Sequence, residues 1–562
     1  MANRIENVDG VPCLFLDEGG NANYRASGGS SNLSWQLVNG SSVFIDGTKS
    51  WGDVFIAPPL LTDDGTHITG NRLPFNVKFQ AYNAFPVIKY LELSGGAEWD
   101  VISERLKDDT DDLPAGEYGI TVDNENNPGV SSVKVRQATY NNNTTRALPK
   151  QFHATRMKVM RGGFANFLLK SDDLTFPDPN DFLDIYIKDS LSVDTHDGEG
   201  MYAGNFKAPP GQHPVKFRAE NTVFARTASE SFQAGHLIDG SYVKNCLIML
   251  GGLDPTSFEN FQSNGMQLNH RYGKTLVENC MILGSGASIL SINHFLGEDN
   301  AKRKPDDEVR FRNCLIGFSR VGSGYIGIVP DGSDISLAPK VVFEDCMFIG
   351  MGENNVLPNP TKGNDASKMF AFENSDLKVE AYNCKIDNRN SSITGILPNR
   401  PNAIEQGTTF EDLPIPAFVN DGIFSLGISP FKIIHYDSSV QYTTGQYIVS
   451  PDRKLYEVIA DSINNPLSDT TKFRLVDQST SDDTMPDNWQ LAENDPYRLA
   501  GIGLLPTAPD YNYKLKEGVI NANANQSSTV TGAKEVTTLS YTIISYAETQ
   551  GKKGALVKKL IG

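Results

Sequence analysis

Val243-Lys-Asn-Cys-Leu-Ile248, Val277-Glu-Asn-Cys-Met-Ile282, Phe311-Arg-Asn-Cys-Leu-Ile316, Phe343-Glu-Asp-Cys-Met-Phe348 and Ala381-Tyr-Asn-Cys-Lys-Ile386 are five copies of one phrase inside the stretch 215–388. A sixth copy, Ala219-Glu-Asn-Thr-Val-Phe224, carries Thr222 in place of the cysteine, and a weaker seventh, Ile187-Lys-Asp-Ser-Leu-Ser192, precedes it. The central positions 222, 246, 280, 314, 346 and 384 are separated by 24, 34, 34, 32 and 38 residues. Self-similarity at this spacing is the mark of stacked repeats. The phrase alternates apolar and polar residues with period two and is bracketed by turn formers, so each repeat is built from strands.

One coil of a parallel β-helix accounts for the phrase. The first apolar residue ends a strand and points inward. The Asn or Asp then sits at a tight corner, where its short side chain tolerates the left-handed backbone and bonds neighbouring amides. The cysteine and the residue two further on point inward on the next strand. Coils stack about 4.8 Å apart, which sets Asn on Asn and Cys on Cys. Cys246, Cys280, Cys314, Cys346 and Cys384 read as small buried hydrophobes; a metal or disulfide ladder is the alternative, although the chain has no C-x-x-C pair.

The repeated N-C-x-I phrase, with G-M-x-x-x-N strands between the copies, resembles the right-handed parallel β-helix proteins of the pectate-lyase-like class. Long members of that class without a secretion signal are typically phage tail spikes and fibres. The resemblance covers about residues 150–435. It implies an all-β chain in a virion tail that recognises a bacterial surface polysaccharide and, as one option, depolymerises it. A non-catalytic adhesin or tail fibre is a second option. A free β-helix polysaccharide lyase or hydrolase is a third.

The 562 residues allow several domains. Fifty basic against 68 acidic residues give a net charge of −18, which disfavours a nucleic-acid partner. No stretch approaches the ~18 apolar residues of a membrane span, and Met1-Ala-Asn-Arg-Ile-Glu-Asn7 is no signal peptide. The cysteines suit synthesis in a reducing cytoplasm, with release by assembly into a virion or by lysis. No cofactor is expected.

Residues 1–75 are rich in Gly, Ser and Asn with short β-like runs. They are expected to form a small β head that attaches to a tail or baseplate protein, or a cap for the solenoid. The β-helix is placed at 76–435, with one helix-like piece at Glu98–Leu106. Tyr442-Thr-Thr-Gly-Gln-Tyr-Ile-Val449, the strand around Tyr456, Asn464-Asn-Pro466 and Phe473 resemble the short carbohydrate-binding modules of chitinases and phage tails. That resemblance implies an inserted β-hairpin module at 436–495, with Tyr442, Tyr456 and Trp489 as sugar contacts. Asp510–Asn521 resembles the closing phrase of many β-helices, so 496–521 is read as the last part of the solenoid. The apolar strands of 522–562 lack a partner in the chain and are expected to close a homotrimer.

A second column aligns Gly200–Asn205, Ser231–His236, Gly265–His270, Ile289–His294, Tyr325–Pro330 and Met369–Asn374. It stacks His236, His270 and His294 on successive coils, either as a structural imidazole row or as a metal- or glycan-contacting one. The chemically densest stretch is Asp194-Thr-His-Asp-Gly-Glu-Gly200. Glycoside hydrolysis needs two carboxyl groups across a sugar, one of them protonated. Asp194, Asp197, Glu199 and, from the next coil, Glu230 are the candidates, with His196, His236, His270, Arg271, Tyr272 and His294 as substrate contacts. A lyase needs a base and a cation instead, types present in His270-Arg271-Tyr272. A solvated acidic turn or a Ca²⁺ site is the plain alternative.

Overall fold

The computed structural model describes residues 2–25, 32–59, 75–102, 118–136, 138–140, 145–147, 149–169, 182–204, 214–252, 264–285, 288–295, 300–319, 324–329, 334–350, 367–372, 376–388, 393–414, 416, 433–436, 438–444, 447–449, 455–477, 491 and 494–504. The repeated phrase folds as a coil corner. Asn245, Asn279, Asn313, Asp345 and Asn383 have φ between 50° and 55°, the left-handed region that Asn and Asp enter most readily. Their side chains form a ladder: Asn279 Nδ2 donates to Asn245 Oδ1 at 3.2 Å, and Asn313 Nδ2 donates to Asn279 Oδ1 at 2.8 Å. The weaker copies join it, since Asn221 Nδ2 donates to Asp189 Oδ1 at 2.8 Å. Beside the ladder, the five phrase cysteines are fully buried free thiols. Burial and the thiol on the preceding coil push Cys280 and Cys314 well above the usual thiol range, against the opposing hydrogen bond with the thiol on the following coil.

Strands on the two sides of this corner build two of three parallel sheets. Sheet A holds the strands before the corner, such as Ser241–Lys244, Lys274–Glu278, Glu308–Arg312 and Lys340–Glu344. Sheet B holds those after it, such as Leu247–Gly251, Met281–Ser285 and Leu315–Ser319. Sheet C is the second column: Met201–Ala203, Phe232–Leu237, Met266–His270, Leu290–Phe295, Gly324–Val329 and Phe370–Phe372. The chain runs A to B to C and repeats, so the inward residues of all three sheets meet in one apolar column from Leu14 to Leu397. The fold is an all-β parallel β-helix.

Several boundaries differ from expectation. Residues 1–75 are not set apart as a head. Ser42–Asp46 pairs in parallel with Asn76–Tyr82 in sheet A, and Trp51–Ile56 pairs with Val87–Ser94 in sheet C, so these runs are early coils. The short strands carry the same inward alternation as later coils, without the Asn-Cys phrase that would have revealed it. Arg4–Val8 lies antiparallel on Val11–Leu16 and covers the first strand of sheet A. The helix-like piece is a strand over Glu98–Ile102, because Trp99 and Val101 point into the core while Glu98 and Asp100 face outward. In sheet C, Tyr325 pairs with Ser291, two residues from the expected register.

Among the described residues of 433–477, four strands form a separate small sheet, Ile433–His435, Tyr447–Val449, Leu455–Val458 and Phe473–Asp477. The chain then returns to the solenoid as a strap rather than a coil. Asp495 caps the short helix Pro496–Leu499, and Tyr497 Oη donates to Pro414 O at 2.6 Å. Gly503 N donates to Asn279 O at 2.8 Å. Leu491, Tyr497 and Ile502 pack on Leu247, Met281 and Leu315, outward residues of sheet B. The expected closing phrase at 510–521 and the oligomerisation region 522–562 lie outside the described residues.

Candidate functional site

The loop 194–200 closes the corner between sheets B and C, and its carboxylates have different fates. Asp194 (φ 64°) joins a column of alternating charge on successive coils. Arg226 Nη2 donates to its Oδ2 at 2.6 Å, and one rung away Arg161 Nε donates to Asp123 Oδ1 at 2.6 Å. Asp194 is thus a structural ion pair. Asp197 and His196 face solvent, 2.9 Å apart, and each is about half exposed. Gly198 and Gly200 serve close stacking: a Cβ on Gly200 would lie 2.6 Å from Ser231 O.

Glu199 and Glu230 are brought together. Ser229 N donates to Gly198 O and Gly200 N to Glu230 O, each at 3.2 Å, and two residues later Met201 pairs with Phe232. The two glutamates therefore occupy equivalent places on neighbouring coils, both over nine-tenths buried. Burial pushes Glu230 up to about 7, against opposing hydrogen bonds from Ser229, its own backbone and Asn264. Ser229 Oγ donates to Glu230 Oε2 at 2.5 Å.

From this corner the outward residues of sheet C continue as a polar, uncharged face. Tyr202, Gln233, Gln267, Ser291 and Tyr325 follow one another on five coils. Asn269 and Asn293 form the next row, with Asn293 Nδ2 donating to Asn269 Oδ1 at 3.1 Å. Asn293 pairs with Gly327, where a Cβ would lie 2.4 Å from Tyr325 Cε1. The glycine thus lets the Tyr325 ring lie against the sheet. Gln267 and Tyr325 are half-buried; Gln233, Asn269, Ser291 and Asn293 are buried.

The histidines belong to the core. His270 pairs with His294, and their rings meet edge-on at 6.0 Å. His236 leaves the row: its φ of 56° makes a bulge, so Leu237 pairs with His270, and the His236 ring stacks on Phe295 at 4.3 Å. All three are fully buried, and His270 and His294 share the inward parity of Leu268 and Ile292, which turns them away from the outer face of the sheet. Burial, with Arg303 nearby, depresses His294 to about 3 and also lowers His270, so both are neutral. Arg271 is buried and engaged with other groups, and Lys302 lies over the Tyr272 ring at 5.3 Å. With His270 inside the core, that histidine is out of reach as a lyase base, whereas Tyr272 is half-buried.

In the small module Tyr442 is buried against Tyr436 and Phe473, so it supports the module core instead of offering a sugar platform. Tyr456 is half-buried beside that core. Trp489 lies outside the described residues.

The sequence reading missed the charged outer face of sheet A. His153 lies 3.6 Å from Asp100 and 3.4 Å from Asp184, and Arg218 Nη2 donates to both Asp184 oxygens. Arg310 bridges Glu308 and Glu344, and Arg312 Nε donates to Glu278 at 2.8 Å. Period-two alternation of charges along each strand was the available signal. The cations and carboxylates of this face neutralise one another.

No protein-family model and no curated protein matches the chain. Among solved structures it is similar to pectate lyase Pel9A, with 11% identity over 73% of this chain and 85% of that one, at a TM-score of 0.32.

Proposed function

We propose that the chain binds a polysaccharide along the outer face of sheet C and hydrolyses it at the Glu199–Glu230 corner. The carrying observation is the corner itself, two glutamates at equivalent places on neighbouring coils and both buried, with burial raising the Glu230 carboxyl to about 7. Glu230 donates its proton to the departing glycosidic oxygen, and Glu199 acts as the carboxylate partner. Equivalent places on neighbouring coils lie about 4.8 Å apart. That is the spacing of the two backbones, and Glu199 is assigned as the second carboxylate, acting as nucleophile or as base to a water according to the separation of the two side chains. The amides and tyrosines of sheet C position the polymer.

The wider role follows from the repeated phrase and its resemblance: a virion tail spike or fibre acting on a bacterial surface polysaccharide. The test is to incubate the full chain with capsule or lipopolysaccharide and to measure new reducing ends and absorbance at about 235 nm, where an unsaturated lyase product absorbs. Hydrolysis predicts reducing ends without that absorbance. Glu230→Gln and Glu199→Gln are each expected to slow release by about 10²- to 10⁴-fold while binding persists. Asp197→Asn is expected to cleave normally. The burial of both carboxyls favours a second reading, a non-catalytic adhesin; binding by wild type without cleavage would establish it.

A further inference from the structure

We infer that the polymer accepted by the sheet C face is uncharged. This rests on the reading of that face as a glycan groove and names its substrate class. From Tyr202 onward, the described outward polar residues of the face are amides, hydroxyls and phenols: Gln233, Gln267, Asn269, Ser291, Asn293 and Tyr325. On the coils before Tyr202 the same sheet carries Glu92, Lys134 and Arg136, with Glu92 held by Arg25 and Arg136. The cations of sheet A, Arg218, Arg310 and Arg312, are held by carboxylates of their own face. Arg271, next to the groove row at the end of Met266–His270, is buried and already engaged.

Asn269 supplies the independent observation. It is 1% exposed, its Oδ1 accepts from Asn293, and its Nδ2 has no hydrogen-bond acceptor. A buried amide donor without an acceptor destabilises the fold. A hydroxyl, ring oxygen or N-acetyl carbonyl of a neutral sugar supplies that acceptor. The net charge of −18 acts in the same direction, because it repels polyanions at a distance.

Chemistry follows from the substrate class. β-Elimination requires a sugar with a carboxyl group beside the carbon that loses its proton. An uncharged polymer has none, which leaves hydrolysis. The glycosidic C–O bond breaks, the leaving oxygen takes a proton from Glu230, and water finally supplies hydroxide to the anomeric carbon and a proton back to the enzyme.

The test uses the full chain carrying Glu230→Gln, run through native gels cast with neutral polymers (dextran, mannan, galactan) or anionic ones (hyaluronan, polygalacturonate, polysialic acid). Each gel is run at low and high salt, about 20 and 300 mM NaCl. Retardation by at least one neutral polymer, equal at both salts, is expected, with none by the anionic set. Adding Asn269→Asp, which replaces the donor by an acceptor of the same shape, is expected to weaken that retardation about tenfold or more. If Asn269→Asp fails to fold, Tyr325→Ala is used in its place and is expected to weaken it similarly. Retardation by an anionic polymer that fades with salt would overturn the inference and leave the groove reading standing. Retardation by none of the six overturns both. Unchanged neutral binding in a folded Asn269→Asp chain, or in Tyr325→Ala where that variant is used, places the binding elsewhere and also overturns the inference.

Discussion

At the scale of the residue, the corner asparagine and the buried carboxyl are the two most consequential single positions. Asn279 holds a left-handed φ of 55° and bonds the amides above and below it. Asn279→Val places a β-branched side chain in that conformation and interrupts the ladder, so a loss of about 1–3 kcal/mol is expected in urea unfolding. Glu230 works with the opposite sign. Its folded value, up to about 7, lies above the ordinary 4.5 of the unfolded chain. Its stabilisation is complete below about pH 4.5 and is lost as the pH rises through about 7. Glu230→Gln keeps the shape without ionising. It is expected to be more stable than wild type at pH 8, by about 1–3 kcal/mol, and equal to it near pH 4. Unfolding curves at the two pH values check this.

At the scale of the element, the histidine pair of sheet C and the strap on sheet B set how the solenoid responds to acid and to truncation. His270 and His294 are neutral in the core, with His294 depressed to about 3. Their contribution is intact above the unfolded value of about 6.5 and is lost progressively as the pH falls from there towards 3. His294→Met, which fills the same space without titrating, is expected to flatten the acid limb of a melting-temperature profile between about pH 6.5 and 4. The strap is held by one buried aromatic. Tyr497→Ala removes its packing and its bond to Pro414, a loss of about 2–4 kcal/mol locally. Hydrogen exchange should then quicken in Leu247–Gly251, Met281–Ser285 and Leu315–Ser319 of sheet B, with the sheet A strands unchanged.

At the scale of the whole molecule, a stack of parallel coils has two ends, and each is a set of open strand edges. Arg4–Val8 covers the sheet A edge at the N-terminal end. At the other end Ala403–Gln406 and Thr409–Glu411 are the last strands of the solenoid among the described residues, with Ile404 and Phe410 exposed. The assembly proposed from the apolar runs of sequence in 522–562, which lie outside the described residues, is a homotrimer. Sedimentation of the full chain at micromolar concentration should give three times the chain mass, and a chain ending at residue 521 should sediment as a monomer. A full-length monomer that keeps its fold would end the trimer proposal.

The sequence by itself determined the architecture wherever a residue type has one comfortable place. Asn or Asp at the left-handed corner, Cys in the tight interior beside it and period-two strands around them repeat locally, so their spacing alone specified the coil, the ladder and the buried thiols. The same local alternation is ambiguous where no marker residue accompanies it, and the early coils and Glu98–Ile102 were misread for that reason. The site was half legible. A cluster of acids at 194–200 is visible in the chain, but which of them matters depends on neighbours more than 25 residues away: Arg226 takes Asp194, while the coil carrying Glu230 buries beside Glu199. Only the tertiary structure decided that His236, His270 and His294 lie in the core, because inward and outward differ by a single residue of register and a bulge at His236 shifts it. Burial, and with it every perturbed titration in the molecule, is a property of the stacked coils and is written in no single repeat.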